Sequence, residues 1–133
     1  MFLLDANVWV AAGISAGPYQ AEAGSLVRSG ASLAALDLTL YEVGNVVAKR
    51  YQDPGEARRI VQAILRTCGD DLLRVDRELI DEAIDVVAEH GLSSYDAAYV
   101  AAARRWGRQL VSLDIRDLVS KGLAVTPDAA DYP

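Results

Sequence analysis

At 133 residues the chain has room for one hydrophobic core and none for a second, burying roughly two-thirds of its unfolded surface. A hydrophobic fraction of 52% beside 24% charged residues excludes a disordered or low-complexity chain, and no apolar run is long enough to span a membrane. The net charge of -6 argues against a free-standing binder of long duplexes, and the single cysteine, Cys68, excludes both a disulfide framework and a cysteine metal site.

The N-terminus carries Asp5 and lacks a basic flank, so neither signal peptide nor anchor is expected, and a cytoplasmic location follows. Residues 1–4 form an apolar run without alternation, as in a strand covered on both faces of a parallel sheet. Asp5 ends that strand, where open α/β sheets gather their ligands. Asp5 or Asn7 could equally cap a helix starting near Val8. A helix is predicted over 18–28 and stopped by Ser29-Gly30; a second strand over 33–36 ends at Asp37.

The spacing of Leu40, Val43, Val46 and Val47 predicts a helix over 39–52. Asp53-Pro54-Gly55 breaks the chain, and Pro54 suits the first turn of a helix reaching Cys68. Residues 72–75 read as a short strand, and Asp76 as the cap of a helix closed by His90-Gly91. A further helix over 93–106, rich in alanine, precedes a strand over 109–113 that ends at Asp114. A short helix to Lys121, a last strand over 123–125 and a loose tail from Pro127 complete the pattern. Strands alternating with helices predict a three-layer α/β/α sandwich around a mostly parallel sheet, in one domain over 1–133.

Two helices open on the same device. Thr39 with Glu42, and Ser93 with Asp96, match the capping box, and Asp114 can cap the helix that follows it. What capping leaves unexplained is the shared address: Asp5 and Asp114 end strands, and Glu42 and Asp96 occupy first helical turns, all on one edge of a parallel sheet. Carboxylates sharing a site repel unless a cation joins them. All-oxygen ligation selects Mg²⁺ or Mn²⁺, since zinc would draw on His or Cys and the chain has one His. A carboxylate-held metal can activate water for phosphoryl displacement without a side-chain nucleophile. Neutralising those acids would bring the remaining charge much closer to zero, and eleven of the thirteen basic residues are Arg, whose planar fork suits phosphate. His90 sits at a helix end, where it favours the dipole.

The motifs LLDANVWV, TLYEVGNVV, SSYDAAYVAAA and VSLDIRDL, in this order over nearly the whole chain, resemble the PIN-domain ribonucleases, in particular the VapC-like toxins of toxin–antitoxin pairs. The resemblance implies that Asp5, Glu42, Asp96 and Asp114 form an acidic Mg²⁺ site and that Asn7 supports it. It implies endoribonuclease activity in which a metal-activated water attacks an RNA phosphodiester, leaving 5′-phosphate and 3′-hydroxyl ends. It further implies a small VapB-like antitoxin whose tail crosses the active-site groove, and a homodimer.

Asp117, one turn beyond Asp114, offers a further carboxylate or a solvent-facing charge; Asp37 has no counterpart in the resemblance. Val43, Val46 and Val47, together with Ile60, Val61, Ile64 and Leu65, exceed what a small sheet must cover, so they pack either the core or a partner. Tyr41, Tyr51, Tyr95 and Tyr99 could stack on bases or pack half-buried. Two other readings compete: a non-catalytic interaction domain of the same fold, and a receiver- or phosphatase-type aspartate phosphoacceptor. The second needs another acid beside Asp5 and a Lys after a late strand, whereas Lys121 is expected in a helix.

Overall fold

The computed structural model describes residues 1–14 and 17–133. Its centre is a sheet of four strands, β1 (Phe2–Leu4), β2 (Leu33–Leu36), β3 (Leu72–Leu73) and β4 (Gln109–Val111), in the order β3-β2-β1-β4 with every neighbour parallel. Phe2 lies opposite both Leu33 and Gln109, so the central strand ends in register with its neighbours and its last residue hands on directly to Asp5.

Side-chain alternation along these strands builds two cores. Leu3, Ala34, Leu36 and Leu110 pack with helices α5 (Arg77–His90) and α6 (Ser94–Arg105). Phe2, Leu4, Leu33, Ala35 and Val111 pack on the other face with α1 (Ala6–Gly13), α2 (Gln20–Val27), α3 (Asp37–Val43) and α4 (Pro54–Cys68). The predicted three-layer sandwich is therefore observed, with each strand buried on both faces as its unbroken apolar run requires.

Two long helices start on aspartate caps, of which Asp76 is the expected one and Asp53 is expected only as part of a chain break. Asp53 accepts from the Glu56 amide at 3.0 Å to start α4, and Asp76 accepts from Leu79 at 2.8 Å to start α5. Gly91, at φ 66°, ends α5 in the left-handed conformation that glycine adopts without strain. Helix α6 is buried on nearly every side from Ala97 to Ala103, which small side chains permit by close approach.

Several boundaries differ from expectation for identifiable reasons. Helix α1 begins at Ala6 rather than Val8, and α2 begins at Gln20 because Tyr19 precedes it at φ 65°. Strand β3 stops at Leu73, since the Val75 amide leaves the ladder for the Asp37 carboxylate at 3.2 Å. The last strand shrinks to one bridge, in which Val125 exchanges hydrogen bonds with Leu110 and Ser112 at 3.0 Å while Leu123 turns back to Leu118. The tail is not loose: Pro127–Ala129 forms a 3₁₀ turn, Ala130 is buried, and Tyr132 meets Phe2 edge-on at 6.4 Å between ring centroids.

The helix predicted over 39–52 begins at Asp37 and changes winding after Val43. Over Gly44–Arg50 it becomes a π-helix, and the Tyr51 amide bonds back five residues to Val46 at 3.0 Å. Val43 and Val47 are buried in the core beside Ile60 and Ile64, so most of the apparent apolar surplus is packing; Leu65 remains exposed.

Candidate active site

At the carboxyl edge of the sheet a cleft of about 430 Å³ is lined by Asp5, Asn7, Glu42, Asp96 and Asp114, with Val10, Ile14 and Val46 as aliphatic lining and Arg50 and Tyr51 beside them. All four predicted acids therefore reach one space, although β1, α3, α6 and β4 deliver them from points far apart in the chain.

Asp5 lies deepest, at 5% exposure. It precedes α1, yet its side chain caps nothing. Instead the Ser112 hydroxyl donates to Asp5 Oδ2 at 2.7 Å, and Ser112 Oγ in turn accepts from the Asp114 amide at 3.0 Å. Burial pushes the Asp5 carboxyl up from 3.8 to about 7; the Ser112 bond opposes this, and Glu42 and Asp96 add to it by repulsion. Asn7 is a brace as well as a lining residue: its Oδ1 accepts from the Leu113 amide at 3.1 Å and its amide faces Ser112 Oγ at 3.4 Å. Ser112, not singled out from the sequence, thus braces two of the cleft acids; its only signal there is a lone hydroxyl inside the apolar run leading to Asp114.

Glu42 is held differently from the capping-box expectation. Thr39 lies inside α3 rather than at its start, is fully buried, and stands 2.6 Å from the phenol oxygen of Tyr99. Tyr99 in turn donates to Glu42 Oε1 at 2.7 Å. Burial raises the Glu42 pKa, with the Tyr99 bond opposing and Asp96 adding to the rise. Burial and the nearby acids Asp5 and Glu42 raise Tyr99 well above the usual phenol value, so it remains a proton donor. Tyr99 is therefore closed to base stacking, whereas Tyr41, Tyr51 and Tyr95 are exposed.

Asp96 is centred among the acids. Ser93 caps its helix as expected, accepting from the Asp96 amide at 3.1 Å. Burial raises the Asp96 carboxyl, Asp114 and Asp117 add repulsion, and Ser93 and Lys121 oppose it. Oxygen atoms of Asp96, Asp114 and Asp117 all lie within 4.8 Å of one another. That trio is the tightest acidic group among the described residues and sets Asp117 beside two of the cleft acids; Asp5 and Glu42 stand outside it. Asp114 also caps the short π-wound segment Ile115–Val119, accepting from the Asp117 amide at 3.0 Å.

Other candidates fall elsewhere. Asp37 is structural, its Oδ1 accepting from Leu38 at 2.8 Å as well as from Val75. His90 pairs with Glu89 at 3.0 Å and does not line the cleft. Lys121 lies beyond the end of the short helical segment and donates to the His90 carbonyl at 3.0 Å. Four carboxylates line the cleft and, among the described residues, no His or Cys does, which fits a hard divalent cation and offers zinc none of its preferred nitrogen or sulfur.

A model of the PIN domain matches residues 2–120, and the chain belongs to that family. It is 33% identical over 106 residues to Ribonuclease VapC3 of Pyrobaculum aerophilum, covering 76% of this chain and 80% of the relative. Among solved structures, PAE2754 from Pyrobaculum aerophilum superposes with a TM-score of 0.72 at 28% identity, over 96% of this chain and 83% of that one. A toxin–antitoxin complex from Klebsiella pneumoniae contains a chain of the same fold, with a TM-score of 0.71 at 20% identity over 96% of this chain and 98% of that one.

Proposed function

We propose that the chain is a Mg²⁺-dependent endoribonuclease and the toxin half of a toxin–antitoxin pair, with one domain over 1–133 carrying the activity. The observation that supports this most directly is the convergence of Asp5, Glu42, Asp96 and Asp114 on one cleft, with Asp117 beside the last two. Burial raises the carboxyls of Asp5, Glu42 and Asp96 and their mutual repulsion adds to the rise; a divalent cation, Mg²⁺ or Mn²⁺, would offset both by favouring the ionised forms. Such an ion supplies charge neutralisation at the phosphoryl group and makes water a competent nucleophile near neutral pH.

The chain's own residues do the rest. Ser112 holds the Asp5 carboxylate, Tyr99 holds Glu42, and Asn7 ties the start of α1 to the end of β4, so the acids are fixed before substrate arrives. Arg50 makes no ion pair among the described residues and lines the same cleft, where it can grip an RNA phosphate next to the scissile one. A locally gripped single strand suits an acidic protein better than a long duplex does. The ribonuclease name of the Pyrobaculum relative and the antitoxin in the Klebsiella complex support the RNA substrate and a small VapB-like partner. A homodimer remains part of the proposal.

The test is incubation of purified protein with labelled transfer RNA, messenger RNA and a circular RNA, with Mg²⁺, with chelator, and as Asp5→Ala or Asp96→Asn. Cutting of the circle marks an endonuclease. Loss of cleavage on chelation and on either substitution is expected; cleavage that survives both rejects the mechanism.

A further inference from the structure

We infer that Tyr99, held by Thr39, is a positioning residue that fixes which oxygen Glu42 offers to the cation. The inference rests on the reading of Glu42 as a ligand. Tyr99 lies one turn beyond Asp96 on α6, and Glu42 lies one turn beyond Thr39 on α3. The contact between the phenol and the α3 pair thus links two acid-bearing helices.

The direction of the hydrogen bonds follows from the chemistry of the groups. A phenol has one proton and a carboxylate only accepts, so Tyr99 gives its proton to Glu42 and the Thr39 hydroxyl donates to Tyr99. Thr39 and Tyr99 are both wholly buried, so water does not compete for either bond. Glu42 Oε1 is thereby engaged on the protein side, and Oε2, which has no hydrogen-bond partner among the described residues, is the oxygen left for a ligand. This favours ligation through Oε2 and removes rotamer freedom that cation binding would otherwise have to freeze.

A tyrosine that served only to pack would be replaced by phenylalanine without loss at the site, and this separates the two roles. Wild type, Tyr99→Phe, Thr39→Val and Glu42→Gln are titrated with Mn²⁺, reading bound ion by electron paramagnetic resonance, the rise in melting temperature, and the half-saturating Mn²⁺ for RNA cleavage. Tyr99→Phe is expected to weaken Mn²⁺ binding about 10-fold, with maximal cleavage largely recovered at saturating ion. Thr39→Val shifts binding several-fold in the same direction and carries the test if Tyr99→Phe does not fold. A Tyr99→Phe protein that melts lower yet binds Mn²⁺ as wild type does would overturn the inference alone. Wild-type affinity unchanged by Glu42→Gln, or no binding by wild type, would overturn the ligand reading and the inference with it.

Discussion

The Ser112 hydroxyl donates to Asp5 at 2.7 Å across 107 residues of chain, while its oxygen receives the amide of Asp114. One atom therefore couples the ends of β1 and β4, the two neighbouring strands that lead into acids. Ser112→Ala strands the Asp5 carboxylate without a donor and the Asp114 amide without an acceptor. A loss of about 1–3 kcal/mol in urea unfolding is expected, with weaker Mn²⁺ binding. Binding and stability equal to wild type would show that the hydroxyl is dispensable.

In the absence of a cation the fold should prefer acid. Asp5 is pushed up to about 7 from 3.8, so its protonated form stabilises the folded chain. That contribution is whole below about pH 3.8 and is lost as pH rises through about 7, and full ionisation costs on the order of 4 kcal/mol. Melting temperatures of chelated wild type should fall between pH 4 and pH 8 relative to those of Asp5→Asn, which lacks this titration. A divalent ion should narrow that gap by favouring the carboxylate. Parallel curves for the two proteins without metal would contradict the buried acid.

Among the described residues, Arg50 is the one basic residue lining the acidic cleft. Arg50→Ala should raise KM for RNA with little change in kcat and lower the salt dependence of RNA binding by about one phosphate contact. The rise in melting temperature with Mn²⁺ should stay as in wild type. An unchanged salt slope would place the RNA path elsewhere.

Gly13 closes α1 against α4 so tightly that a Cβ would sit 2.7 Å from Ile60 Cγ1 and 2.9 Å from its Cδ1. Gly13→Ala should cost about 1–3 kcal/mol by overpacking. In a double-mutant cycle, Ile60→Ala should recover part of that loss; strict additivity would mean that the helices simply separate.

The strand ends and most caps were legible in the sequence because both are local. An unbroken apolar run declares a strand buried on both faces, and Ser93 lies three residues before the amide it caps. Thr39 misled because its partner is 60 residues away: the same spacing that reads as a capping box belongs here to a hydroxyl buried against Tyr99. Likewise Asp5 was a plausible cap until its contact with Ser112 placed it, and 123–125 read as a strand although only Val125 bonds to the sheet. Asp117 was ambiguous for a related reason, since helical spacing gives its nearness to Asp114 but not to Asp96.

Glu42, Val46 and Arg50 all line the cleft, though they are spaced four residues apart along one helical stretch. In an α-helix each such step overshoots a full turn by about 40°, so Arg50 would have swung well away from Glu42. The wider winding over Gly44–Arg50 advances less per residue and takes back that drift, keeping acid, aliphatic wall and guanidinium in one file. Chain length in this stretch is thus constrained independently of its chemistry. Removing a single amino acid there would spare every carboxylate and yet turn the basic end of the file out of the groove, so relatives with the same acids but a shorter segment should differ in which RNAs they hold.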